Sequence, residues 1–309
     1  MKVFLNETTL RLGKDEKTVV ALGAFDGLHL GHVSLIEKTV EEAKLRRCKA
    51  LVYSFLNHPQ SVLNPKSAPL ALMTFDEKIR MMDSLQVDYL ALVPFSFHMA
   101  QTPPEDFLDK LVSRLFAVAV VAGFNFRFGR EGEGDAALLE EFCRQRGIDA
   151  YIMPPVSDGG IPISSSRIRS LVADGWMEEA ERLLGRPYSV MGTVVAGKRL
   201  GREMGFRTAN LDYQAKLLPR FGVYACYAYI MDRRYEAVVN VGENPTVSQE
   251  QKIFIEAHIF DYDGDIYGLR LKLDFLHKIR DEKKFDSVEQ LREAIAESVR
   301  DAKAYFAAK

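Results

Sequence analysis

The run Thr18-Val19-Val20-Ala21-Leu22 passes directly into Gly23-Ala24-Phe25-Asp26-Gly27-Leu28-His29-Leu30-Gly31-His32. An apolar run closed by glycine reads as a short buried strand ending in a tight turn. Beyond the turn, Leu35, Ile36, Thr39, Val40 and Ala43 fall on one face of an amphipathic helix. Two histidines three residues apart therefore stand where a buried strand becomes a helix. Unpaired N–H groups at a helix N-terminus, together with the helix dipole, favour an anion there. Glycines at 23, 27 and 31 let a phosphate come close to the main chain. Imidazoles can then donate hydrogen bonds to phosphoryl oxygens as charge builds on them. The stretch reads as a nucleotide phosphate site.

Outward from this stretch, residues 51–55, 89–93 and 118–122 are further short apolar runs. Residues 76–84, 104–115 and 136–146 carry helical periodicity. Strands alternating with helices predict a parallel, doubly wound, Rossmann-like α/β domain. Ligands collect at the carboxyl ends of such strands, where both the opening motif and Gly123-Phe124-Asn125 fall. After Leu183-Leu184-Gly185-Arg186-Pro187 the pattern changes to successive strand-like stretches at 188–196, 222–231, 235–241, 252–260 and 266–275. In the last, Leu269, Leu271, Leu273 and Phe275 alternate with Arg270, Lys272 and Asp274, the period of a half-buried strand. Antiparallel strands joined by turns predict a small β-barrel. Ser287 before Glu289 and Gln290 predicts a closing helix. The expected domains are 1–184 and 185–309.

Composition narrows the function. The 309 residues suggest two domains, and 47% hydrophobic with 27% charged residues is ordinary for a globular protein. With 41 basic against 43 acidic residues the net charge is −2, which points away from a general nucleic-acid or membrane-surface binder and toward small-molecule substrates. Cys48, Cys143 and Cys226 are scattered and read as small core residues in a reducing cytosol. The N-terminus lacks the apolar core of a signal peptide, and the longest apolar stretch, near 116–124, is too short to span a bilayer. A cytoplasmic location is expected.

The motif GxFDGxHxGH resembles the HxGH nucleotidyltransferases, and Phe25-Asp26-Gly27 ahead of the histidines resembles the bacterial FAD synthetases among them. Three further segments carry the likeness. Ile163-Ser164-Ser165-Ser166-Arg167-Ile168-Arg169 is similar to ISSTxIR, with Ser in place of Thr at 166. Gly123-Phe124-Asn125-Phe126-Arg127-Phe128-Gly129, followed by Gly134-Asp135, resembles GxDFRFG, although Gly132 stands where members often carry arginine. Phe55, His58 and Pro59 resemble (T/S)FxxHP, with His58 a secondary candidate. The resemblance implies that Gly23, Phe25, Asp26, Ser165 and Ser166 bind ATP, and that His29, His32 and Arg169 stabilise the α-phosphate and the leaving group. It also implies that Asn125, Phe126 and Phe128 meet the flavin, and exposed phenylalanines at 126 and 128 would stack on planar rings. A phosphate oxygen of FMN would attack the α-phosphorus of ATP and expel pyrophosphate, with Mg²⁺ bridging phosphate oxygens.

In the second half, residues 197–211 place a glycine-bearing loop before Thr208 and Asn210. Two residues apart on an extended strand, these point to one face, and a hydroxyl with an amide suits Mg²⁺ bound to a nucleotide. The segment resembles the flavokinase motif GxxxGFPTANL. Gly222-Val223-Tyr224-Ala225, Asn240-Val241-Gly242, Asn244-Pro245-Thr246, Ile266-Tyr267-Gly268, and then Arg280, Glu282 and Phe285 match that family in order. The resemblance implies Gly197, Lys198 and Gly201 for ATP, Thr208 and Asn210 for the metal, and Glu256 as the base that takes the proton of the ribityl hydroxyl. Arg207 replaces the family proline, which would preset the loop. Two expectations follow: a chain that makes FMN from riboflavin and FAD from FMN, or an FAD synthetase whose kinase half is impaired by Arg207.

Overall fold

A computed structural model describes residues 1–13, 16–197, 206–244 and 252–309. The chain forms two compact units, Met1–Ser165 and Ser166–Lys309.

The first unit is built on six parallel strands: β1 (Lys2–Phe4), β2 (Thr18–Leu22), β3 (Lys49–Phe55), β4 (Tyr89–Val93), β5 (Ala117–Gly123) and β6 (Asp149–Met153). Every residue of β2 is buried. Val20 and Leu22 enter the core on one face of the sheet, Val19 and Ala21 the core on the other. This is why β2 reads as an unbroken apolar run instead of an alternation. The helices are α1 (Leu30–Arg46), α2 (Gln60–Leu63), α3 (Phe75–Ser84), α4 (Phe97–Ala100), α5 (Pro104–Leu115) and α6 (Ala136–Gln145). The strand order is β1-β4-β3-β2-β5-β6. From β2 the chain steps to β3 and β4 on one side, then returns to place β5 and β6 on the other. The sheet's switch point therefore lies between β2 and β5, and ligands bind at the carboxyl ends there. The two segments leaving those ends are the histidine motif and residues 123–129.

A short antiparallel hairpin of β7 (Ser157–Asp158) and β8 (Ile161–Pro162) follows the sheet, and the second unit opens along α7 (Ser165–Asp174), with α8 (Met177–Leu184) next. Six antiparallel strands follow: β9 (Tyr188–Val195), β10 (Ala209–Tyr213), β11 (Gly222–Ile230), β12 (Arg233–Asn244), β13 (Lys252–Ile259) and β14 (Arg270–Asp281). They close into a barrel in the order β10-β13-β12-β11-β14-β9, with β9 pairing back onto β10. Leu271, Leu273 and Phe275 fill the interior as the period-2 pattern predicts, but the strand begins at Arg270 instead of 266, and Asp274, expected on the solvent side, is buried beside Lys272. The helix Val288–Ala308 packs Ala302, Val299 and Phe306 on Val223, Val238 and Phe260. Ser287 caps it, its hydroxyl accepting the Gln290 N–H at 3.2 Å. Among the described residues no helix is long and apolar enough to cross a membrane. Cys143 and Cys226 are buried and Cys48 is half-buried, all as free thiols.

Candidate active sites

The turn that joins β2 to α1 is held in an uncommon conformation. Phe25, Gly27 and Leu28 have φ of 49°, 79° and 41°, the left-handed region that costs side-chain-bearing residues about 1–2 kcal/mol each. Burial offsets the cost: Phe25 and Leu28 are fully inside the core. Hydrogen bonds also pin the turn. The Ser54 hydroxyl donates to the Ala24 carbonyl at 2.9 Å, both Asp26 carboxylate oxygens accept the Leu72 N–H at 3.0 and 3.1 Å, and the Ser165 hydroxyl donates to the Asp26 carbonyl at 2.9 Å.

This turn delivers His29 as the N-cap of α1. Its Nδ1 accepts the His32 N–H at 3.3 Å, so neutral His29 carries its proton on Nε2. The two imidazoles stack with centroids 3.7 Å apart and planes 16° from parallel. A Cβ at position 31 would press on the His29 ring at 3.2 Å, so Gly31 permits the approach. The first turn of α1 holds no acidic residue, which leaves the positive end of the helix dipole open to an anion. Phe25 meets His32 edge-on at 5.3 Å. Phe25, expected beside ATP, is fully buried with its ring against His32. His32 Nδ1 is buried and, among the described residues, has no hydrogen-bond partner.

Burial first, then the neighbouring charges of His29 and Lys78, hold His32 well below the ordinary imidazole range. Below pH about 6.5 the unfolded chain takes up a proton that the folded one refuses. Stability should therefore fall as pH drops from 7 to 5, with a slope of up to about 1.4 kcal/mol per pH unit for this one group. Urea midpoints for the chain and for His32→Asn across that range check this: the variant should show the shallower decline. Equal slopes would mean that His32 is not the group responsible.

At the end of β5, Asn125 is exposed and Phe126 half-buried. Phe128, expected to be exposed, is 6% exposed. It pairs with Gly134 through two backbone bonds and lies so close over it that any side chain at 134 would collide with the ring. The buried ring stacks on Phe126 at 5.5 Å and lies 5.8 Å from Phe107, which meets Tyr53 at 6.2 Å. Tyr53 and Phe107 line a cavity of about 400 Å³, with Met99, Thr102, Lys110 and Arg114 also on its wall. Neither Tyr53 nor Phe107 stood out in the sequence, where each reads as an ordinary core residue. Asp135 caps α6 by accepting the Leu138 N–H. His58 Nδ1 accepts the Gln60 N–H in its own turn.

In the second unit the barrel register gathers a polar cluster. Asn210 on β10 and Asn240 on β12 both lie opposite Glu256 on β13. Ile255 and Ala257 point into the barrel, so Glu256 and its two partners face outward. The Thr208 hydroxyl, one residue ahead of β10, donates to Glu256 Oε1 at 2.5 Å. Gly197 packs against the Asn210 amide so closely that any side chain there would collide with it. Asn240 stood in the sequence only as part of a matching segment with no site role, because only cross-strand register brings it beside Glu256. Arg207 turns to Asp263, 3.3 Å away and fully at the surface. Arg280 reaches Ser298 of the closing helix at 2.9 Å. Lys198 and Gly201 lie outside the described residues.

Residues 12–167 match the family model for FAD synthetase, and residues 184–306 that for riboflavin kinase. A bifunctional riboflavin kinase/FMN adenylyltransferase of Listeria monocytogenes is 34% identical over 95% of this chain and 94% of its own. The chain belongs to the bifunctional riboflavin kinase/FMN adenylyltransferase family. The Escherichia coli member is 33% identical over 99% of this chain and 98% of its own. A solved structure from Streptococcus pneumoniae, described as a macrolide-efflux protein, superposes with a TM-score of 0.89 over 98% of both chains at 32% identity. The family match thus runs through both constellations: the stacked histidines on α1 and the carboxylate cluster on the barrel.

Proposed function

We propose that this chain makes FAD in two steps, each in its own domain, 1–184 for adenylyl transfer and 185–309 for riboflavin phosphorylation. The observation that carries the reading is that both reacting constellations are assembled on one chain, the stacked His29–His32 pair and the Thr208–Glu256 pair.

In the first domain, a phosphate oxygen of FMN attacks the α-phosphorus of ATP as the α–β bridging bond breaks and pyrophosphate leaves. Little covalent work falls to the protein, so placement and charge stabilisation supply the catalysis. His29 and His32 donate to the α-phosphate oxygens. Gly23 and Asp26 shape the turn, and the family resemblance carries Ser165, Ser166 and Arg169 to the triphosphate. Asn125 and Phe126 meet the flavin, Phe128 holds Phe126 from behind, and the cavity beside Tyr53 and Phe107 receives the ring system.

In the second domain, Glu256 takes the proton of the ribityl hydroxyl as its oxygen attacks the γ-phosphorus and ADP leaves. Thr208 orients the carboxylate. Thr208 and Asn210 offer the oxygen donors that a hard cation prefers, and with Glu256 beside them the set fits Mg²⁺ held through few protein ligands. Bound there, the ion would neutralise phosphate charge. Gly197, Lys198 and Gly201 bind ATP. Arg207 leaves that cluster free by pairing with Asp263, so nothing favours an impaired kinase. Free thiols suit the reducing cytoplasm.

Purified protein with ATP and Mg²⁺, given riboflavin in one tube and FMN in another, should yield FMN and FAD from the first and FAD from the second. Chelation with EDTA should stop both. FAD from the FMN tube alone would sink the kinase assignment and return attention to Arg207.

A further inference from the structure

Lysine is almost never buried without a task, because desolvating an ammonium is costly. Lys78 on α3 is 9% exposed. The start of its helix is fixed by a reciprocal cap: Thr74 accepts the Glu77 N–H at 3.3 Å, while Glu77 accepts the Thr74 N–H at 2.7 Å. From this anchored position Nζ reaches back to the Ala24 carbonyl at 2.9 Å, the same oxygen that Ser54 holds. Ala24 is the residue from which the left-handed turn to His29 departs. The groups facing the ammonium are Asp26 on that turn and His32 on α1. A leucine or methionine would fill the same space with no desolvation penalty, so the fold alone gives no reason for an amine here.

We propose that Lys78 is a positioning residue of the adenylyl-transfer site, where its buried ammonium ties down the Ala24 carbonyl and so fixes the turn that aims His29 and His32. The inference rests on the adenylyl-transfer reading above. Burial, only partly offset by attraction to Asp26, lowers Lys78 to about 8. The tie is therefore a charged one in neutral solution and weakens in mild alkali. A misplacement of about 1 Å at a reacting centre can cost on the order of 10²-fold.

The test is FAD formation from FMN and ATP between pH 6.5 and 9.5, for the wild type, Lys78→Met and Lys78→Arg. Wild-type kcat should fall as pH rises through about 8 (the value at which Lys78 loses its proton). Lys78→Met should lower kcat about 10²-fold, leave KM for ATP within about threefold and abolish the alkaline limb. Lys78→Arg, whose guanidinium stays charged throughout this range, should recover part of the rate with a flat profile. An alkaline limb that persists in Lys78→Arg, or an unchanged kcat in Lys78→Met, overturns the proposal. If Lys78→Met does not fold, the wild-type and arginine profiles still decide. A wild type that makes no FAD at any pH would instead count against the adenylyl-transfer reading itself.

Discussion

His32→Ala should lower FAD formation from FMN and ATP by about 10²–10³-fold, the usual cost of removing one preorganised donor to a developing charge. FMN formation from riboflavin should continue. The size follows from how His32 is held. Its ring is stacked on His29 and backed edge-on by Phe25, so its donor is fixed before ATP arrives and no reorganisation is spent during the reaction. Its depressed proton affinity keeps the imidazole neutral, able to strengthen a hydrogen bond as charge accumulates without first giving up a salt bridge. Chromatographic rates for both products check the expectation. Loss of both activities to the same extent would contradict the assignment of the two reactions to separate constellations.

Glu256→Gln should cost riboflavin phosphorylation about 10²–10⁴-fold, the range for loss of a general base, and leave FAD formation from supplied FMN in place. The amide keeps the volume and the bond to Thr208 but cannot take a proton at neutral pH. The barrel register makes this a clean experiment. Asn210 and Asn240 flank position 256 on either side, and a glutamine can be hydrogen-bonded by the same neighbours. A kcat for FMN formation within threefold of wild type would show that another group serves as base.

Much of this was legible in the chain itself. The β2 run is buried on both faces, the α1 stripe on one, and Leu271, Leu273 and Phe275 line the barrel interior, so each pattern is carried strongly. Other elements escaped for physical reasons. β1 is three residues long, and β6 begins with an exposed aspartate. Phe128 shows the limit most plainly. An aromatic at a strand end reads equally well as a ligand platform or as core, and only the close seat of its ring over Gly134 decides for core. Lys78 is another case: Glu77 before it and Arg80 two places on are charged, and its helix face is mixed. Nothing local marks it as buried against a turn more than fifty positions away.

The closed barrel has a bearing on how the protein behaves at high concentration. Among the described residues, a ring of six strands in which β9 pairs back onto β10 leaves no strand with a wholly unpaired edge, whereas an open sheet always has two such edges. In the first unit the two edge strands differ. β1 is too short to template much, while β6 is longer and carries an ion pair from Arg46 to its Asp149, 2.6 Å across. High ionic strength weakens such an exposed pair. Intermolecular strand pairing that leads to clumping during salting-out or storage should therefore start at β6 and spare the barrel.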